Sequence, residues 1–179
     1  NYKDRSGWLF NPSISGIVEI DNLLIIGSQP RYEAALLDAR IRKSWLNNNI
    51  KISRIGGGDK TSYEINDLGS DIKIIDQIYK GKHNYNKILE KSNKTLILIG
   101  ESVLNRNDGA GILGRLREIA KKYNFYSNKW NGIGVLHTTA NRVGALEAGF
   151  VPGKNGLCTE GILKSLKSNK IKLLWLLGY

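Results

Sequence analysis

The chain has no methionine and a single cysteine in 179 residues, and no apolar run of membrane-spanning length. The lone thiol, Cys158, excludes an internal disulfide and any self-contained four-cysteine zinc or iron–sulfur site. An isolated cysteine of this kind reads as a partly buried structural thiol rather than a nucleophile. The only histidines are His83 and His137, and no His, Asp or Glu cluster has metal-ligand spacing. Ser, Asp and Glu have no fixed spacing to His137, so no triad is argued from the residues. The expectation is therefore no catalytic residue and no metal ligand in the chain. The N-terminus lacks the basic start, apolar core and small-residue cleavage site of a signal peptide. The missing methionine, the start at Asn1 and the stop just behind an apolar run lead to a further expectation, that the chain is an excised segment of something longer.

What is present is positive charge, +11 at neutral pH. The basic residues are spread along the chain, densest at Lys164, Lys167, Lys170 and Lys172. No aromatic residues interleave with them as a single-strand-binding surface requires. The charge is read as a solvated face or the complement of an acidic protein partner. Neither nucleic-acid binding nor direct membrane insertion is expected.

The organising stretch is Asp21 to Trp45, DNLLIIGSQPRYEAALLDARIRKSW. Leu23 to Ile26 is a continuous apolar run ended by Gly27, the pattern of a strand covered on both faces of a parallel sheet. Ser28-Gln29-Pro30 turns the chain, with Gln29 at the cap and Pro30 at the first helical position. One long helix is predicted to follow. Ala34, Leu37, Ile41 and Trp45 form its inward face, and Tyr32, Ala35, Ala39 and Leu46 a second apolar side. Asp38 and Arg42, four residues apart, are placed to pair.

The remaining elements follow in order. Residues 1–20 are a lead-in, with a Trp8-Leu9-Phe10 knot docked on the core and Ser13 capping a short helix over Ile14 to Ile20. Ile50 to Ile55 is a second strand, broken by Gly56-Gly57-Gly58. Residues 59–71 read as a polar loop. Helices are predicted over Ile72 to Tyr79, capped by Asp71, and over Tyr85 to Leu89. Thr95 to Ile99, ended by Gly100, is a third strand, and Asn107 or Asp108 caps the next helix. Residues 125–157 form a glycine-rich loop region with a short helix near Val143 to Ala148. A last helix runs to Leu166 and a last strand from Ile171 to Leu177. Three strands end in glycine after matching runs, LLIIG, LILIG and LWLLG, a weak internal repeat. Strands alternating with helices imply right-handed crossovers, so the expected fold is α/β: a parallel, Rossmann-like sheet with helices on both faces, in one segment spanning 1–179. Ligands in such sheets bind beyond the carboxyl ends of the strands. The candidate cofactor cleft is thus Gly27, Ser28, Gln29, Pro30, Gly56, Gly57 and Gly100.

Two glycine motifs do not hold up as phosphate-binding loops. Gly109-Ala110-Gly111-Ile112-Leu113-Gly114 matches G-x-G-x-x-G, but it falls inside a predicted helix rather than in the turn a dinucleotide fingerprint needs. Close helix packing is the expected reason for it. Gly56-Gly57-Gly58 has no Lys-Ser or Lys-Thr opening a helix behind it and reads as a flexible loop.

The run LLIIGSQPRYEAALLDARIRKSW resembles the strand-Gly-turn-Pro-helix unit of molybdopterin oxidoreductases, whose usual form is close to IGxNPxE followed by a helix containing ARIR. More narrowly, WNGIGVLHTTANRVGALEAGFVPG, WLFNPSISGI and ARIRKSWL resemble the family of the large iron–sulfur subunit of respiratory complex I (NADH:quinone oxidoreductase). The resemblance implies a molybdopterin-oxidoreductase-like domain and a parent complex that passes electrons from NADH through flavin and iron–sulfur centres to quinone, coupled to proton translocation. It implies iron–sulfur clusters on cysteines of an N-terminal part not present here, and no cofactor in this segment. It further implies partners among the other subunits of the peripheral arm, and a peripheral place on the cytoplasmic face of the bacterial inner membrane or the matrix side of the mitochondrial one. The chain departs from active relatives in two places: Gly56-Gly57-Gly58-Asp59 stands where an Asp-Pro-Arg-like turn is usual, and Gln29 replaces the usual Asn. The cleft is therefore expected to be vestigial. A working molybdopterin enzyme, such as a formate dehydrogenase, and a free-standing nucleotide-binding module are the alternatives.

Overall fold

The computed structural model describes residues 4–127 and 130–176, in two units, 1–140 and 141–179. The first unit is built on five parallel strands: β1 (Asn22–Ile26), β2 (Lys51–Ile55), β3 (Asn66–Gly69), β4 (Thr95–Gly100) and β5 (Ile133–Leu136). Their order is β3-β2-β1-β4-β5, with β1 paired in register to both β2 and β4. The order reverses between β1 and β4, so the two halves of the sheet wind outward from that seam.

The continuous apolar runs form β1 and β4, and every residue of both is buried. Alternate side chains feed two cores. Leu24, Ile26, Ile97 and Ile99 meet the helices α3 (Lys73–Tyr79), α4 (Asn86–Lys91), α5 (Glu101–Leu104) and α6 (Gly109–Lys122). Leu23, Ile25, Leu96 and Leu98 meet Ile17 and Ile20, at the 3-10 turn Ser15–Glu19, and Leu37 and Ile41 of α2 (Ala35–Asn48). Helices thus cover both faces, as the apolar runs demand. The lead-in docks as expected: Trp8 is buried, Phe10 bridges to Gly134, and the Ser13 hydroxyl accepts from the Gly16 amide at 2.9 Å.

Several expectations are corrected. The predicted long helix is two, α1 (Pro30–Glu33) and α2, because Ala34 leaves helical angles at φ −153°. The Asp38–Arg42 pair does not form among the described residues; Asp38 instead accepts the Tyr63 hydroxyl at 2.5 Å. Burial, and then the Asp38 carboxylate, pushes that hydroxyl well above the usual tyrosine range, so it remains a donor. The polar stretch 59–71 contains β3, an edge strand whose residues need no apolar pattern because none of them is buried. Residues 133–136, read as loop, are β5, shortened and disguised by Gly134, whose added Cβ would lie 2.8 Å from the Phe10 ring.

The glycine run of α6 is not a packing device throughout. An added Cβ at Gly109 would lie 2.3 Å from the Leu104 carbonyl oxygen, but at Gly111 and Gly114 it would meet nothing within 4 Å. In the second unit, α7 (Arg142–Glu147) and α8 (Thr159–Lys167) form near where helices were expected. The strand expected over 171–177 does not: residues 171–176 are unpaired, and Leu177 lies outside the described residues. A strand apolar on both faces needs neighbours on both sides, and the described residues of this unit include no other strand and no buried residue.

β2 and β3 are joined by an ion pair, Arg54 Nη2 to Asp67 Oδ2 at 2.7 Å. The Arg54 hydrogen bond, and then that from the Gly69 amide, hold the Asp67 carboxyl below its ordinary range. A depressed carboxylate contributes stability that is full above its unfolded value, near about pH 4, and is lost as pH falls through the folded value. Urea titrations at descending pH should therefore show a shallower acid loss of stability for Asp67→Asn than for the parent chain. Separately, Gly111→Ala and Gly114→Ala should each stabilise the fold by about 1 kcal/mol, whereas Gly109→Ala should destabilise it, as read from denaturation midpoints.

Candidate functional site

At the carboxyl edge of the sheet the chain brings most of the predicted cleft residues together. Gly27 ends β1, Gly56 follows β2 and Gly100 ends β4. An added Cβ on Gly100 would lie 2.1 Å from the Gly27 carbonyl oxygen, and one on Gly56 would lie 3.3 Å from the Gly27 nitrogen. Gly27 adopts φ +56°, a conformation that favours glycine, and a Cβ there would lie 2.2 Å from Val103 Cγ2. Gly56 and Gly100 each pack against the Gly27 backbone, and α5 covers Gly27. Ser102 of that helix donates its hydroxyl to the Gly27 carbonyl at 3.0 Å. Gly57 stands apart, with nothing within 4 Å of an added Cβ.

The seam between β1 and β4 is where a doubly wound sheet opens its crevice. Here α5 starts directly at Glu101 after β4 and lays Val103 over Gly27, so a side chain of the chain itself covers Gly27 at the seam.

Ser28, Gln29 and Pro30 lie at the entrance to α1, with Pro30 at its first position as expected. Two of their donors are engaged by Glu33. The Gln29 amide donates to Glu33 Oε1 at 2.8 Å, and the Ser28 hydroxyl to Glu33 Oε2 at 2.9 Å. One carboxylate takes both of these donors. The amides of Gly27 and Gly56 donate to the carbonyls of Ile55 and Gly69, at 3.0 and 2.9 Å. Sequence reasoning passed over Glu33. Its signal was the spacing, an acidic residue four positions after the capping Gln29, which resembles a capping box displaced by one residue.

Two hollows flank this turn. One, of about 310 Å³ counting the solvent at its mouth, is lined by Ser28, Gln29, Arg31, Arg54, Lys60 and Tyr63 among others. Its arginines, also missed from the sequence, hold the neighbouring loop. Arg31 Nη1 donates to the Lys60 carbonyl at 3.3 Å and Arg54 Nη1 to the Asp59 carbonyl at 3.3 Å, while Arg54 Nη2 is paired with Asp67. The other, of about 640 Å³ on the same basis, lies over Gly27 and Gly56, with Asp71 and Arg106 at its edge. Asp71 caps α3 by accepting the Lys73 amide at 2.9 Å, and Arg106 pairs with Asp108 at 2.7 Å.

A molybdopterin cofactor carries phosphates that need free backbone amides and cations. The amides of Gly27, Gln29 and Gly56 donate inward. Arg31 makes a single 3.3 Å bond to a neutral carbonyl, and Arg54, though paired with Asp67, keeps a buried Nε without a partner. A cofactor phosphate at this turn would have to displace Glu33 from Ser28 and Gln29.

His137 holds the lead-in. Its Nε2 lies 2.6 Å from the Trp8 carbonyl and so donates the proton, while Nδ1 sits 3.9 Å from Glu101 Oε2. The same Glu101 oxygen accepts from the amide and hydroxyl of Thr138, each at 2.9 Å. Among the described residues, no group of three or more His, Cys, Asp or Glu side chains is placed to hold a metal ion, and no helix is long and apolar enough to cross a membrane.

Known proteins resemble this chain over most of its length. A Rickettsia conorii protein named as an NADH-quinone oxidoreductase subunit is 40% identical over 146 residues, covering 82% of this chain and 22% of that one. The mitochondrial NADH-ubiquinone oxidoreductase 78 kDa subunit of Candida albicans is 37% identical over 175 residues, covering 97% of this chain and 22% of its own. Among solved structures, the formyltransferase/hydrolase complex of Methylorubrum extorquens bound to methylofuran aligns with a TM-score of 0.49 at 16% identity, over 72% of this chain and 40% of that one. The chain spans about a fifth of the length of the curated relatives it matches. The model of the molybdopterin oxidoreductase family matches residues 1–179, and the chain belongs to that family.

Proposed function

We propose that the chain is a non-catalytic, structural segment of the large iron–sulfur subunit of an NADH:quinone oxidoreductase. The two curated relatives support the parentage: both are named as subunits of such an enzyme and match most of this chain. The single observation that carries the structural role is the engagement of Ser28 and Gln29 by the Glu33 carboxylate, which places an internal anion at the turn where a cofactor phosphate would sit.

In this reading the parent passes electrons from NADH towards quinone with proton translocation, through iron–sulfur clusters held on cysteines elsewhere in its chain. This segment supplies a folded α/β body and no cofactor. Its partners are the other subunits of the peripheral arm, and its place is peripheral, on the cytoplasmic face of the bacterial inner membrane or the matrix side of the mitochondrial one. The residues here act by filling space: Gly27, Gly56 and Gly100 pack the carboxyl edge, and Glu33 keeps the turn closed.

The test is to purify the tagged parent protein from its source and measure both its metal content and its companions. The expected result is iron without stoichiometric molybdenum or tungsten, together with co-purifying NADH:quinone oxidoreductase subunits. Stoichiometric molybdenum or tungsten would overturn the structural reading in favour of an active molybdopterin enzyme.

A further inference from the structure

We propose that the outward face of α1 and α2 is a docking surface for a second protein, whose contact patch is apolar at its centre and acidic at its edge. The apolar part is Tyr32, Leu36 and Leu46, which are 66%, 85% and 59% exposed. Leu36 and Leu46 are separated by about 15 Å along the helix axis, long enough for a partner element of two to three turns. At 100° per residue, Ala35, Ala39 and Leu46 fall within about 40° of one another, on the side of α2 away from the buried Leu37 and Ile41. The two alanines leave a shallow trough beside the larger side chains.

The charge around this trough has one sign. Arg42 lies on one flank and Arg40 and Lys43 on the other, all exposed, and none of the three is in an ion pair among the described residues. The nearest carboxylates are engaged by other partners. Glu33 serves Ser28 and Gln29, and Asp38 serves Tyr63 in place of Arg42. The folding of the cradle thus strips the helix face of its acids and leaves it basic.

That pattern selects the partner. A second copy meeting this face about a two-fold axis would set the same three cations against themselves, so self-association is disfavoured. A nucleic-acid backbone would satisfy the cations but leave Leu36 and Leu46 in water. An acidic, apolar-centred protein surface satisfies both, with carboxylates at the rim and buried side chains in the middle. The inference does not depend on which assembly the parent belongs to.

The experiment places a benzophenone photo-cross-linker at Leu36 of the tagged parent protein, irradiates the assembly isolated at low salt, and identifies the cross-linked species by mass spectrometry. The expected product is a peptide of another protein with Asp or Glu within four positions of the cross-link. Lys43→Glu should cut its yield about tenfold, while Lys121→Glu, on α6, leaves it unchanged. Circular dichroism melts of both variants confirm that the fold is kept, and Arg40→Glu serves in place of Lys43→Glu if that variant unfolds. No cross-link, a cross-link to lipid, to nucleic acid or within the same chain, or a yield indifferent to charge reversal would overturn the proposal. The protein composition of the same assembly reports separately on its membership in NADH:quinone oxidoreductase.

Discussion

The backbone contact between Gly27 and Gly100 governs the carboxyl edge of this sheet. A doubly wound sheet splits its helices to opposite faces at the point where the strand order reverses, and that split normally leaves a crevice. Here the two strands flanking the split end in glycines close enough that a Cβ on one would overlap the carbonyl of the other. The closeness lets α5 begin at once and lower Val103 onto Gly27. The glycine backbones and Val103 narrow the crevice, and the hollow of about 640 Å³ over Gly27 and Gly56 is what remains open.

The turn beside it follows the same logic with polar groups. A helix entrance presents unsatisfied amides, which must find an acceptor in a ligand, in water or in the chain. Ala34 breaks the helix, and Glu33, at the end of its first turn, reaches back to Ser28 and Gln29. Asp38, one turn into α2, goes to the Tyr63 hydroxyl. With both acids engaged by other groups, Arg40, Arg42 and Lys43 are left exposed without an ion pair among the described residues. The filling of the cradle and the basic face of α2 are two consequences of where these carboxylates point.

The sequence was most legible where burial was complete. Leu23 to Ile26 and Leu96 to Ile99 could be read as central strands because water is absent on both their sides and their side chains are apolar throughout. β3 was hidden because an edge strand with exposed side chains, Asn66 to Gly69, carries no apolar signature. β5 was hidden because Gly134 makes room for Phe10 from far away in the chain, and a glycine in a short run looks like a break. Of the site, the glycines and Pro30 were legible as positions, since turns after strands restrict residue type. Their effect was not, because it depends on Val103, Ser102 and Glu33 folding back onto them. Arg54 in IKISRI was a cation in an otherwise strand-like run, and its partner Asp67 lies on a strand that the pattern did not reveal.

The central claim is that the chain's own groups occupy the cradle. Its most direct measurement is an amide NMR titration of the isolated chain with guanosine diphosphate, a probe carrying the phosphates and nucleotide that such a cradle would hold. The account predicts that the Gly27, Gln29 and Gly56 resonances stay fixed through millimolar probe (roughly the range of weak, non-specific contact). Saturable movement of those three amides would contradict it.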